Sequence, residues 1–424
     1  MSTCPERCNS RHIRMRWIEQ DLDHFDSKEK RRWKMRYFER LDLWKPGGPI
    51  YLFIGGEGRI SPHWAMYGLT YELAQESYGA IYISEHRYYG ASKPFNDTNV
   101  GNFKFLTVKQ ALADLEYLLK HIKEQPDFSY SKIVVIGCSY SGNLAAWMRL
   151  LYPDLVDAAI AGSAPVLAKK DFHEYYEKVS YDYELFGLSD CWESIQALFR
   201  KYDRLLQSDK GVEQLKQEEN ICDSYNLTIL ANQQRFLLYK LRDYATNAQY
   251  HTPSDIFKHC TSINNSVNKD EKCLDFNIYY EGENDDFLAW IYQTCTELGY
   301  FHTATSNKLP FTKKIPLSYY TNMCKERFGP EFDDKRIDDG IRNVNQLFGG
   351  LNPNVTKVVF TNGDIDPWSA LGIVEDLSDE APAIVIPCTS HCKDMHPSEI
   401  NDSEELREAR RRIKYFIKKW INYY

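Results

Sequence analysis

The stretch from Lys132 to Trp147 constrains what this 424-residue chain can fold into more than any other. Ile133-Val134-Val135-Ile136 is a run of four β-branched residues, the composition of a strand buried on both faces, and Leu144-Ala145-Ala146-Trp147-Met148 is strong helix-forming material. Between them stands Gly137-Cys138-Ser139-Tyr140-Ser141-Gly142, in which small residues surround one serine. A strand that turns sharply into a helix at a serine is a nucleophile elbow: the hydroxyl stands clear of a sheet, and the following N–H and the positive helix end face the same point. The second glycine of the usual Gly-x-Ser-x-Gly pattern is replaced by Ser141, and a plain tight turn is the competing reading. A carboxylate and a histidine should then follow in that order.

The surrounding pattern predicts an α/β fold with a mostly parallel sheet. Strands are expected at Trp33–Phe38, Pro49–Ile54, Ala80–Ser84, Ile133–Ile136, Val156–Ala161, Lys357–Phe360 and Ala383–Ile386, with helical segments between several of them. Thr107 with Gln110, and Asp402 with Glu405, read as capping boxes of two amphipathic helices. From about Lys169 to Asn345 strand signals fade and long amphipathic patterns take over, such as Trp192, Ile195, Leu198, Tyr202 and Leu205. The expected division is therefore a hydrolase-type domain in two parts, 1–168 and 346–424, carrying a helical insertion over 169–345.

The late strands supply what the elbow needs. Lys357–Phe360 leads to Asp364-Ile365-Asp366-Pro367-Trp368, and Ala383–Ile386 leads to Ser390-His391-Cys392-Lys393-Asp394-Met395-His396. Asp364 and Asp366 both qualify as the acid by spacing, as do His391 and His396 as the base. His86, in Glu85-His86-Arg87, precedes the serine and reads as part of an ion-pair and hydrogen-bond cluster. Gly55-Gly56-Glu57-Gly58 after an early strand would bring backbone N–H groups to the reacting oxygen; a turn needing positive φ is the plain alternative.

Charge and cysteine usage bound the compartment and partners. A net charge of −8 argues against a nucleic-acid partner, and the basic clusters Lys28–Arg36 and Arg407–Lys419 read as solvated faces. No apolar run reaches the roughly 20 residues of a membrane span. Six of eleven cysteines, Cys191, Cys222, Cys260, Cys273, Cys295 and Cys324, fall between residues 191 and 324 without a zinc-type pattern, which suggests disulfides. Asn96, Asn226, Asn264, Asn354 and Asn401 head glycosylation triplets. These features predict a secreted or lysosomal protein, although the residues from Met1 lack a signal-peptide core; a cytosolic protein with reduced thiols is the alternative. No metal, phosphate-loop or dinucleotide pattern is present in the sequence, so no cofactor is expected.

At this point the chain resembles a family of serine exopeptidases that includes lysosomal Pro-Xaa carboxypeptidase, dipeptidyl peptidase II and thymus-specific serine protease, and it looks nearest the last branch. The resemblance rests on Asp21-Leu22-Asp23-His24-Phe25, Gly55–Gly58, Glu85–Gly90, Gly137–Tyr140, Ser163-Ala164-Pro165, Trp290–Glu297, Asp366-Pro367-Trp368 and Ser390–Met395. It implies an α/β-hydrolase fold with an inserted cap and a triad of Ser139, Asp366 and His391. The oxyanion donors would be the N–H of Tyr140 and one from Gly56 or Glu57. It further implies a peptide substrate, cleavage after proline near one terminus, a small hydrophobic pocket with Trp290, Gln293 and Glu297 as candidates, and a homodimer. Cys138 and Ser141 depart from the glycines of many members. An esterase or lipase on the same fold, and a catalytically inactive binding protein, are the other readings.

Overall fold

The computed structural model describes residues 10–97, 99–263, 272–276 and 285–423. Its centre is an eight-stranded sheet in the order β1 (Ile13–Asp21), β2 (Arg32–Arg40), β4 (Ala80–Ser84), β3 (Ile50–Ile54), β5 (Ile133–Cys138), β6 (Ala158–Gly162), β9 (Val358–Gly363) and β10 (Ala383–Ile386). Strands β3 to β6, β9 and β10 run parallel, while β1 and β2 add an antiparallel edge. A separate pair, β7 (Lys169–Asp171) and β8 (Gly299–Phe301), lies outside this sheet. The run from Trp17 carried no strand prediction because β1 is an edge strand whose outer side chains, among them Met15 and Trp17, face solvent.

The β-branched run of β5 is continuous because both faces of the sheet are covered. Ile133 and Val135 pack with Leu112 and Leu119 of the helix Val108–Lys123 and with Leu144 and Met148 of the helix Tyr140–Leu151. Val134 and Ile136 pack on the opposite face with Leu69 and Leu73 of the helix Leu69–Ser77 and with Ile413 and Ile417 of the helix Glu404–Trp420. Each such side chain removed from water contributes about 1.5–3 kcal/mol, so the strand carrying the elbow is firmly held on both faces.

Three local expectations are corrected. Thr107 accepts from the N–H of Gln110 at 3.2 Å, but the Gln110 amide donates to Asp23 at 2.6 Å instead of returning to the cap. Ser403, not Asp402, caps the last helix by accepting from Leu406 N–H, and Asp402 pairs with Arg410. The basic clusters are not wholly solvated either: Arg36 is buried in a two-point pair with Glu85, and Arg410 is buried against Asp402.

Above the carboxyl ends of the strands sits a helical layer formed by Glu174–Phe186, Cys191–Leu205, Asp209–Glu218, Leu230–Tyr250, Pro253–Ser262, Asp285–Gln293, Leu317–Phe328 and Asp334–Phe348. The six middle cysteines pair within it as Cys191–Cys260, Cys222–Cys273 and Cys295–Cys324. Loop closure of this length stabilises by about 4 kcal/mol per bridge in the chain-entropy account, enough to fix a layer with little sheet of its own.

Candidate active site

Strand β5 ends at Cys138 and the next helix begins at Tyr140, leaving Ser139 alone at the corner with φ 59° and ψ −133°. A non-glycine residue there is strained, and such strain persists only where neighbours over-determine it. Here Ser139 N–H donates to Gly162 O at 2.9 Å, and Ser139 O accepts from Gly142 and Asn143. Ser141, the departure from the glycine pattern, has a structural use: its hydroxyl donates to Cys138 O at 2.8 Å and lies 3.0 Å from Cys138 N. Gly137 is required, since a Cβ there would lie 1.9 Å from Ser141 O.

Tyr140 heads the helix, which places its N–H beside the serine. The loop after β3 lies against the same corner, for a Cβ added at Gly56 would sit 3.5 Å from Ser141 Cβ. The Tyr140 ring is anchored behind the corner: its hydroxyl accepts from Gln293 Nε2 at 2.8 Å and lies 3.1 Å from His86 Nε2, while Tyr89 donates to Gln293 Oε1 at 2.5 Å. Gln293 is fully buried in this network and does not line the cavity described below, whereas Trp290 does. His86 has hydrogen bonds but no ion pair of its own; its neighbours make those, Glu85 with Arg36 and Arg87 with Asp114. Burial holds the His86 imidazole down at about 4, so it stays neutral.

Strands β9 and β10 bring in the acid and the base. Asp366 is fully buried; its Oδ1 accepts from Trp368 N–H at 2.9 Å and its Oδ2 lies 2.8 Å from His391 Nδ1. The other carboxylate, Asp364, only contacts Thr389 N–H at 3.4 Å, and His396 packs edge-on against Trp64 with ring centroids 5.4 Å apart. His391 therefore meets Asp366, and neither rival joins that pair. His391 N–H is held by Gln249 O at 3.0 Å, and Ser163 Oγ accepts from Cys392 N–H at 2.9 Å.

One bond was not foreseen from sequence. Cys138, immediately before Ser139, forms a disulfide with Cys392, immediately after His391, across 254 residues. The serine turn and the histidine loop are thus covalently joined. Cys138, His391 and Cys392 also form a tight group of potential metal-ligand atoms, but the disulfide removes both sulfurs from that use.

Ser139 opens onto a cavity of about 620 Å³ between the sheet and the helical layer. Its walls are mostly aromatic: Trp368 and Tyr300 meet edge to face at 5.4 Å, and Trp290 lies 5.7 Å from Tyr140. Glu57 lines it as well. Its side chain is exposed to solvent-accessible space, and desolvation by the surrounding protein pushes its carboxyl above the ordinary range. Glu297 lies elsewhere, accepting from Val108 N–H at 2.9 Å at the start of the helix Val108–Lys123, where burial raises it to about 7. Asn96, Asn226, Asn354 and Asn401 are exposed, and Asn264 lies outside the described residues. Among the described residues no helix is long and apolar enough to cross a membrane.

The family profile described as serine carboxypeptidase S28 matches residues 20–277 and 254–413. This chain belongs to the S28 family. It is 30% identical over 449 residues to the thymus-specific serine protease of Mus musculus, covering 96% of this chain and 87% of that protein. It is 28% identical over 449 residues to the lysosomal Pro-X carboxypeptidase of Bos taurus, covering 96% and 88%. A solved structure similar to it is the proline iminopeptidase of Mycobacterium smegmatis, at 11% identity, TM-score 0.42 and coverage of 92% and 96%. By its family the S28 chain is a serine peptidase, and its mostly parallel sheet with a serine at the turn after β5 is an α/β-hydrolase arrangement.

The buried ionisable groups of this S28 peptidase set its stability against pH. Asp182 on the helix Glu174–Phe186 is fully buried, and desolvation raises it from 3.8 to about 8 despite Lys178 at 3.5 Å; Glu297 rises from 4.5 to about 7. An acid raised in the folded state favours folding while protonated, so this contribution is present at low pH and is lost between about 4 and 8. Buried His86, near 4, and His302, near 3, act oppositely: unfolding lets them take protons below about 6.5, eroding stability on the acid side. Thermal unfolding is expected to show greatest stability in mildly acid solution and a fall from about pH 6.5 to 8. Asp182→Asn should flatten that alkaline slope, and an unchanged slope would contradict it.

Proposed function

We propose that the protein is an exopeptidase in which Ser139, His391 and Asp366 act as a catalytic triad on peptides, cutting after proline near one terminus. The observation that carries this reading is the 2.8 Å contact between buried Asp366 and His391, covalently tied through Cys392 and Cys138 to the serine corner. Ser139 Oγ attacks the scissile carbonyl as His391 Nε2 removes its proton; His391 then returns the proton to the leaving amine. Asp366 fixes the imidazole with Nδ1 protonated and stabilises the imidazolium. The N–H of Tyr140 and one from Gly56 or Glu57 hold the oxyanion, a role in which loss of one donor costs about 10²–10³ in turnover.

Aromatic faces at Trp290, Tyr300 and Trp368 suit a compact apolar ring such as proline. A disulfide beside the reaction centre and three more in the helical layer support residence in the secretory pathway or lysosome, and the Pro-X carboxypeptidase relatives are named as lysosomal. The test uses two matched peptide sets, one with a blocked amine and penultimate proline, the other with a free amine and proline second, across about pH 4 to 8. Cleavage of either set by wild type and its loss in Ser139→Ala supports the reading. Fluorophosphonate labelling of Ser139 without peptide cleavage removes the proline specificity, and ester hydrolysis alone replaces peptidase with esterase.

A further inference from the structure

We infer that Arg242 captures the free carboxyl end of the substrate and so makes this site a carboxypeptidase site; the inference rests on the reading that Ser139 attacks a peptide in the cavity. Arg242, Ala245, Thr246, Gln249 and Tyr250 all line that cavity, and their spacing of three, four, seven and eight residues puts them on one face of the helix Leu230–Tyr250. The far end of this face is fixed on the reaction centre. Gln249 O accepts from His391 N–H, Gln249 Oε1 accepts from Tyr175 Oη at 2.6 Å and Trp368 Nε1 at 3.1 Å, and the Tyr250 ring stands 6.0 Å from the His391 ring. Arg242 lies seven residues back, about 10 Å along the helix axis at 1.5 Å per residue. That is the span of about three extended residues at roughly 3.3 Å each, and the arginine's own length shortens it to one or two. On this inference a peptide with its scissile carbonyl at Ser139 and one or two residues on the leaving side places its terminal carboxylate at the guanidinium, which lines the same cavity as Ser139.

The charges of the cavity favour this. Among the described lining side chains Arg242 is the fixed charge, since desolvation keeps His302 neutral and pushes the Glu57 carboxyl upward. Arg242 is exposed and forms no ion pair or hydrogen bond among the described residues, unlike Arg36, Arg87 and Arg410 with their buried carboxylates. An exposed arginine without an internal partner, lining an aromatic cavity, offers a planar fork matched to a carboxylate. The opposite choice, an amine end held by Glu57, is served less well, since desolvation favours that carboxyl's neutral form.

The experiment compares kcat/KM for one blocked peptide with penultimate proline as its free acid and as its carboxyl-terminal amide, with fluorophosphonate labelling of Ser139 run in parallel. Wild type should prefer the acid by about 10²-fold, the size of a two-point charge-assisted pair. Arg242→Gln should collapse that preference toward one, mainly through KM, and Arg242→Lys should restore part of it. Wild type that labels but cuts acid and amide alike overturns the carboxylate anchor and leaves the serine peptidase reading standing, as does Arg242→Gln that labels normally and keeps the preference. Wild type that neither labels nor cleaves overturns both.

Discussion

Replacing Ser139 with alanine is expected to lower kcat by on the order of 10⁶-fold, the loss that follows when the nucleophile of a serine triad is removed. The change deletes one oxygen at a corner whose shape does not depend on it. The hydrogen bonds that hold the corner run through Ser139 N and O and the Ser141 hydroxyl, the close approach of Gly137 needs no oxygen at 139, and all survive the substitution. Alanine at φ 59° carries the same backbone strain as serine, so thermal stability should change little. Steady-state hydrolysis gives the rate, and circular dichroism with a melting curve gives the fold. A correctly folded Ser139→Ala protein that retains more than about a hundredth of wild-type turnover would remove Ser139 from the mechanism.

Asp366→Asn is expected to cost about 10⁴-fold in kcat with the fold intact. The side chain is fully buried and bonded on both oxygens, to Trp368 N–H and His391 Nδ1. Asparagine keeps the first bond with its carbonyl and turns its NH₂ toward the second. The imidazole must then accept at Nδ1 and carry its proton on Nε2, where it cannot take one from Ser139. The same protein should label slowly with a fluorophosphonate, because labelling needs the same proton transfer. Asp364→Asn is the matched control: this carboxylate is partly exposed and touches only Thr389 N–H, so its loss should leave kcat within a few-fold. Equal losses at 364 and 366 would contradict the assignment.

The parts of the molecule legible in sequence are those fixed by local periodicity. The run Ile133–Ile136 demanded a doubly covered strand, and the order of strand, serine, late aspartate and late histidine demanded a sheet that brings distant loops to one end. Interactions decided by a distant partner were not legible. Gln110 is placed for a capping box, yet its amide serves Asp23, 87 residues away; Asp402 looks like a cap and instead neutralises Arg410. Gln293 sits one turn from Trp290 and reads as pocket wall, but a buried amide takes whatever partners the fold offers, and here these are Tyr140 and Tyr89. Arg242 gave no sequence signal, since a charged residue on an amphipathic helix is ordinarily solvated. Only the position of Gln249 against His391 shows which way that face looks.

The bond between Cys138 and Cys392 also governs when the enzyme comes into being. During synthesis the serine turn is made early, while Asp366, His391 and the partner cysteine belong to the last part of the chain, 254 residues after Cys138. On the proposed triad, a growing polypeptide carries Ser139 long before His391 and Cys392 are made. The proposed triad is complete only once that closing segment has docked beside the serine turn, so a chain still being made holds Ser139 without its proposed base.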